Sequence, residues 1–395
     1  GDAHLEILEP IQKTIPCISL PHSPPTDMES TIYAMEGGAP VEFDRVAEKI
    51  KGKTVMVSSE VKPVGTNRRI HRSEKYGRSV LAGGEAFIFV NHYPGFGPAT
   101  GGIGHDGEGL ILGISISKED GAFIDRLIKR KGAVKIRIVT TDKCEEMVSW
   151  NILGDLPGDR DPETIVMLGC HYDGHDISQG AVDPASGAVS VLEAARVLAK
   201  YAPTLPYTLR VALWGIEEIG LIGSREYVSE YADQLSKIRF YLNMDSAGSL
   251  QNNRDIIINE WPELEALFNR YSVEMAHKYK VAQSLSAFSD HFPFFIAGVP
   301  TGGMQSAIQS FEGRGYGHTH HDTVDKVDMT CLREASTLAA RIALRVASEE
   351  NWPVQKRDEK MVQELLDSPD YREEEEFRDR LDAYYKKARE TDKSV

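Results

Sequence analysis

Long apolar runs are what this sequence most plainly lacks. Nowhere among its 395 residues does it approach the roughly 20 consecutive apolar residues that a membrane helix needs, so no membrane span is expected. The opening, GDAHLEILEP, has no basic start followed by an apolar block; no signal peptide is read in this chain, and the expectation leans to the cytoplasm over secretion. Basic charge is in deficit, with 45 Lys and Arg against 60 Asp and Glu and a formal net charge of -15. That argues against nucleic acid as a partner, because such binders usually carry a basic face that displaces counterions from phosphates. Cysteine is scarce, and Cys17, Cys144, Cys170 and Cys331 form no paired pattern of a zinc ribbon or redox site. Each is expected to be a small buried apolar residue, with a Cys17 to Cys144 disulfide as the alternative the sequence leaves open. Internal repeats and low-complexity tracts are absent as well.

The length exceeds what one hydrophobic core usually sustains, so two domains are expected. In the first, strands at Thr54–Ser58 and Ala86–Val90 bracket a helix from Arg69 to Ala82. A glycine-rich run, 95–109, suits a surface loop; ILGISIS, a helix over 119–130 and a strand over 134–139 follow it. This segment, 1–143, holds no cluster of carboxylates, histidines or thiols at ligand spacing and reads as a smaller, non-catalytic α+β domain. Over 144–353 the pattern changes to apolar runs at Ile165–Leu168, Leu209–Trp214 and Phe240–Met244, which fit central strands of a largely parallel sheet. Ala188, Val191, Leu192, Ala195 and Leu198 share one face of the helix after Gly187, so the sheet should be flanked by helices. The fold class expected is α/β, a mostly parallel mixed sheet with the smaller domain attached. Beyond Pro353 the chain is densely charged, a helical tail over 354–395. Leu365, Leu366, Phe377, Leu381 and Tyr384 either form an apolar stripe, docking on the body or on another subunit of a homo-oligomer, or the tail is solvated.

Polar groups gather where the apolar runs end, and in open α/β sheets sites form outside the carboxyl ends of strands. The run IVMLGC delivers His171, and Asp173 can accept its other imidazole proton, fixing the tautomer a metal requires. Asp183 lies at the loop-to-helix junction DPASG, where an N-cap is the simpler explanation for it alone. WGIEE places Glu217 and Glu218 side by side after six apolar residues; adjacent carboxylates there resist burial unless cations or protons compensate. Asp245 ends NMDSAG, and GYGHTHHDTVDK carries His318, His320, His321 and Asp322. Anionic and imidazole groups at successive strand ends are the donor types that divalent metals bind.

The blocks HYDGHDISQGAVDPASG, WGIEEIGLIGSREYV, YLNMDSAG, SDHFPF and HTHHDTVDK resemble those of the co-catalytic zinc exopeptidases, which include bacterial leucyl aminopeptidases, aminopeptidase Y and glutamate carboxypeptidases. The resemblance covers roughly 144–352 and implies a phosphorylase/hydrolase-like fold, a peptide substrate and two zinc ions per chain, other divalent ions being alternatives. It implies that Asp183 bridges the metals, that His171 and Asp245 complete one and Glu218 and His318 the other, that Glu217 is the general base, and that Asp173 orients His171. His318 is chosen because the family histidine lies four residues before the Asp-Thr pair, here Asp322 and Thr323. The segment before the blocks is similar in position to a protease-associated domain. Two departures stand out. Pro184 follows the bridging aspartate, so a cis Asp183–Pro184 bond is expected. Gly317 precedes His318 where some relatives carry a tyrosine that holds the oxyanion, a role for which Tyr316 is the candidate. Family background favours an aminopeptidase. A carboxypeptidase or dipeptidase is the alternative, with Arg314 as the cation for a substrate carboxylate; a metal-free receptor or scaffold relative is the third reading.

Overall fold

The computed structural model describes residues 1–104, 107–245, 254–306 and 316–392. They form two compact units, Gly1–Met147 with Asp367–Val395, and Val148–Leu366.

The first unit contains β1 (Ala3–Glu9), β2 (Lys13–Ile15), β3 (Cys17–Ser19), β4 (Thr26–Ala34), α1 (Pro40–Ile50), β5 (Thr54–Ser58), α2 (Arg72–Leu81), β6 (Ala86–Val90), β7 (Leu112–Ile116), α3 (Lys118–Lys131) and β8 (Lys135–Thr140). Its sheet runs β2-β1-β8-β4-β5-β6-β7-β3, eight strands against the seven of the second unit, so the domain expected to be smaller holds the larger sheet. Strands β1 and β4 escaped the sequence reading because their burial rises and falls from residue to residue, as in AHLEILE, and β2 and β3 because each is only three residues long. Strands β4 to β7 are parallel, and β5, β6 and β7 are buried along nearly their whole length, which is why those three were legible as runs. All four cysteines are free; Cys170 and Cys331 are buried, Cys17 is half-buried and Cys144 is exposed. The disulfide alternative and the expected burial of Cys144 are therefore both corrected.

The second unit contains β9 (Ile152–Leu156), β10 (Asp161–His171), α4 (Gly187–Leu198), β11 (Tyr207–Trp214), α5 (Ile222–Glu230), β12 (Ile238–Asn243), β13 (Arg254–Ile258), α6 (Pro262–Glu274), β14 (Lys280–Gln283), α7 (His291–Ile296), β15 (Thr301–Ser306), α8 (Met329–Ser348) and α9 (Glu359–Leu366). The order is β14-β13-β15-β12-β10-β11-β9. The central strands β11, β10, β12 and β15 are parallel to their neighbours in that series, so their carboxyl ends open on one edge. Apolar residues of the strands pack against α4, α6 and α8. On α4 the buried face runs Ala188, Val191, Ala194 and Leu198, while Leu192 is exposed. The expected stripe was thus rotated by about one position at Ala194, because the i, i+3, i+4 series allows either residue until packing decides.

The charged C-terminal segment is divided between the units. In α9 Leu366 is buried and Leu365 exposed; in α10 (Pro369–Asp392) Phe377, Leu381 and Tyr385 are buried while Tyr384 is exposed. Four-residue spacing along α10 selects Tyr385 over the expected Tyr384. These side chains pack with Leu81 and Leu110 of the same unit, so α10 is a docked helix and not a solvated tail.

Candidate metal centre

His171 is the last residue of β10, whose neighbours on either side are β11 and β12. The strand fixes its side chain at the sheet edge, and only 1% of it is exposed. Its Nδ1 lies 2.9 Å from the main-chain oxygen of Asp173, while the Asp173 carboxylate is 3.7 Å away. The carbonyl is therefore the nearer acceptor, while the carboxylate oxygens accept from the amides of Glu217 at 3.0 Å and Glu218 at 3.2 Å. The carbonyl can fix the tautomer in its stead, leaving Nε2 toward Asp183 Oδ1 at 3.2 Å and Asp245 Oδ1 at 3.5 Å.

Glu217 and Glu218 follow β11 through a turn in which Ile216 adopts a left-handed backbone, φ 60°. A β-branched residue rarely accepts that conformation; here the turn is closed by the amides of Ile222 on Ile216 O and of Leu221 on Glu217 O. Asp183 sits in the turn preceding α4, and its peptide bond to Pro184 is cis, as expected. Asp322, which is buried, accepts from the amides of Val182 at 2.6 Å and Asp183 at 3.1 Å. Gly187 lets this turn approach β12, since an added Cβ would lie 2.0 Å from the oxygen of Met244. Asp245 follows β12 and is held by a one-way chain of buried hydrogen bonds. Trp214 Nε1 donates to Tyr241 Oη at 2.8 Å, Tyr241 to Asn243 Oδ1 at 2.8 Å, Asn243 Nδ2 to Ser289 Oγ at 2.7 Å, and Ser289 to Asp245 Oδ2 at 2.9 Å. Indole N–H can only donate, so the direction of the whole chain is set at Trp214.

His318 is also left-handed, φ 63°, in a turn where the amide and hydroxyl of Thr319 both donate to Tyr316 O, at 3.1 and 2.7 Å. Its Nε2 is 3.6 Å from Asp183 Oδ2 and 3.5 Å from Glu218 Oε2. His171, Asp183 and Asp245 thus meet as one donor group, and Glu217 reaches His171 and Glu218 within 4.8 Å. Tyr316 enters through its carbonyl, with Lys326 Nζ 5.4 Å from its ring centroid. His320 and His321 lie ring against ring, 4.0 Å between centroids, with His320 exposed. Arg314 lies outside the described residues.

The reading of the sequence missed two side chains here. His175, 8% exposed, places Nε2 2.9 Å from Glu218 Oε2 and 3.2 Å from His318 Nδ1. It lies in the same block as His171, but in a loop, so no periodicity marked it. Asp322 served only as a spacing landmark; its hydrogen bonds reach across 140 positions.

The electrostatics call for positive charge. Burial raises Asp183 to about 6, with Asp245 and Glu218 adding to the effect. Burial also lifts Glu217 well above the carboxylate range, against the pull of His171 and with Asp290 contributing. Burial acts on Glu218 too, but His318, His175 and His171 outweigh it and hold that carboxyl at about 2. Burial disfavours charge on His171, yet Glu217, Asp173, Asp183 and Asp245 together raise its proton affinity well above the ordinary value.

A pair of zinc ions fits this donor set. The spacings of 3.2 to 3.6 Å between imidazole Nε2 and carboxylate oxygens match the edge of about 3.3 Å of a tetrahedron built on bonds of about 2.0–2.1 Å. Asp183 Oδ1 is buried and receives no well-aligned hydrogen bond, although His171 Nε2 is near it, as befits an oxygen and an imidazole nitrogen that each keep a lone pair for a cation.

The fold and the donor set resemble those of the co-catalytic zinc exopeptidases. Residues 151–343 match the family model described as Peptidase family M28, and all of them lie in the second unit. The chain is 35% identical over 158 residues to leupeptin-inactivating enzyme 1 of Streptomyces exfoliatus, covering 40% of this chain and 36% of that protein. It is 28% identical over 308 residues to probable leucine aminopeptidase 2 of Aspergillus oryzae, covering 72% of this chain and 58% of that one. The chain therefore spans less than two thirds of either relative. In solved structures the fold is shared with a Peptidase M28 precursor from Shewanella amazonensis, with a TM-score of 0.75, 21% identity and coverage of 91% of this chain and 82% of that one. It is shared also with a zinc aminopeptidase from Bacillus subtilis, with a TM-score of 0.66, 22% identity and coverage of 90% and 84%.

Proposed function

We propose that this protein is a zinc-dependent exopeptidase that removes amino-terminal residues from peptides. One observation carries the reading: the carboxylate of Asp183 lies between His171 Nε2 on one side and His318 Nε2 on the other, at 3.2 and 3.6 Å. His171 and Asp245 would hold one zinc ion, Glu218 and His318 the other, with Asp183 shared. When bound, such a pair lowers the pKa of a water and polarises a peptide carbonyl. Glu217, whose proton affinity burial raises, would take a proton from the attacking water and return it to the departing amine. Asp173 would orient His171 through its carbonyl while its carboxylate fixes the backbone of both glutamates, and Tyr316 is the candidate donor to the oxyanion. The relatives named leucine aminopeptidase support the amino-terminal choice over the carboxypeptidase one. The first unit is read as a non-catalytic module: among the described residues, all three groups of metal-ligating side chains that meet lie in the second unit.

The test combines zinc analysis with hydrolysis of dipeptides blocked at one end or the other. About two zinc ions per chain and cleavage only of substrates with a free amino terminus are expected. Cleavage only of substrates with a free carboxylate would reverse the choice of end, and a protein that takes up no zinc would sink the enzyme reading.

A further inference from the structure

His175 is left over once the five donors are assigned, yet it meets Glu218 and His318 in a third group of metal-capable side chains. Its Nε2 is 2.9 Å from Glu218 Oε2 and 3.2 Å from His318 Nδ1, and its ring centroid is 4.7 Å from that of His318. The side chain is 6% exposed, as is that of Glu218, whereas that of His318 is 34% exposed. His318 is half-buried, where His171 is fully buried, and rests on a left-handed backbone, so its ring needs lateral support more than that of His171 does.

We propose that His175 is a positioning residue for the Glu218 and His318 pair, and so controls how tightly one of two zinc ions is held. The hydrogen-bonding chemistry is specific. For His318 to offer Nε2 to a cation, its Nδ1 must carry the hydrogen, and Nε2 of His175 lies 3.2 Å from that Nδ1. His175 in its Nδ1–H form accepts that hydrogen, which fixes the His318 tautomer and ring plane. In its Nε2–H form it donates to Glu218 Oε2, which fixes the rotamer of that carboxylate. Either arrangement holds one donor of the same zinc ion, and neither reaches His171 or Asp245, whose supports are Asp173 and Ser289. The effect should therefore be one-sided.

This inference rests on the zinc reading, and the experiment separates their failures. The zinc-loaded protein, His175→Ala and His175→Gln are challenged with a graded chelator, and the zinc retained is measured along with the melting temperature of each zinc-free form. Loss of an outer hydrogen-bond partner typically weakens metal affinity by about 10- to 100-fold. His175→Ala should release one zinc ion at about 10- to 100-fold lower chelator strength while the second is retained as in the parent. His175→Gln, whose amide reaches a similar distance and can donate or accept, should restore most of the difference. Parallel release curves for parent and His175→Ala overturn the inference. So does equal loss of both ions together with a lowered zinc-free melting temperature, which marks a general structural defect. A parent protein that binds no zinc overturns the zinc reading and this inference with it.

Discussion

Glu217 and Glu218 are chemical twins, adjacent in sequence, that the fold drives apart. Burial, with Asp290 adding, raises the proton affinity of the first against His171, whereas three imidazoles outweigh burial at the second and hold its carboxyl at about 2. A pair of titratable groups pushed apart in this way suits one member to proton transfer and the other to holding a cation. Glu217→Gln preserves size and removes the titration. It should leave zinc content at the parent level and lower kcat by about 10²- to 10⁴-fold; metal analysis beside steady-state kinetics checks this, and parent-like turnover refutes the assignment of the base. The pair was legible in the sequence because two carboxylates directly after an apolar strand demand compensation. Asp322 and His175 were not. Their partners, Val182 and His318, lie 140 and 143 positions away, and only the folded loops reveal that a nearby Asp and His are spent on holding neighbours.

At the level of elements, the site is a consequence of parallel strands that end together. β10, β11 and β12 were recognisable as unbroken apolar runs because both faces of a central parallel strand are covered, and what each run delivers at its end could be read directly. What could not be read was how near the turn before α4 comes to β12. That approach depends on Gly187, where a Cβ would lie 2.0 Å from Met244 O and 2.8 Å from Cys170 Sγ. Main chain cannot yield as a flexible side chain does, so Gly187→Ala must displace either the turn that carries Asp183 or the end of β12 that carries Asp245. Overpacking of this kind costs typically 1–3 kcal/mol. The variant should melt at lower temperature and should bind zinc more weakly even when fully folded. Parent-like zinc affinity in a folded Gly187→Ala protein would show that the two aspartates tolerate separation. The half-exposed strands β1 and β4 were missed for the opposite reason to that which exposed β10: their alternation is shared with amphipathic loops, and only pairing across the sheet identifies them.

For the whole molecule the anionic centre sets a stability that depends jointly on pH and zinc. In the zinc-free protein Asp183 is raised from its ordinary 3.8 to about 6, and Glu217 and His171 are raised as well. Each binds its proton more tightly in the folded than in the unfolded chain, so between the ordinary and raised values the folded state holds the extra proton. Stability then falls as pH rises through those windows. Glu218, lowered from 4.5 to about 2, has the opposite sign, but its contribution is complete above the ordinary value and is lost only on acidification. Buried His291, lowered from 6.5 to about 4, opposes the raised groups between those values, so the zinc-free protein should weaken as pH increases from about 6.5 toward 8. Zinc replaces the protons that the cluster would otherwise need and binds best when they have left. The rise in melting temperature on adding a fixed excess of zinc should accordingly grow between about pH 5 and pH 8. Scanning calorimetry of zinc-free and zinc-loaded samples across that range measures it. A rise that stays constant or shrinks with increasing pH would mean that zinc binds away from these carboxylates.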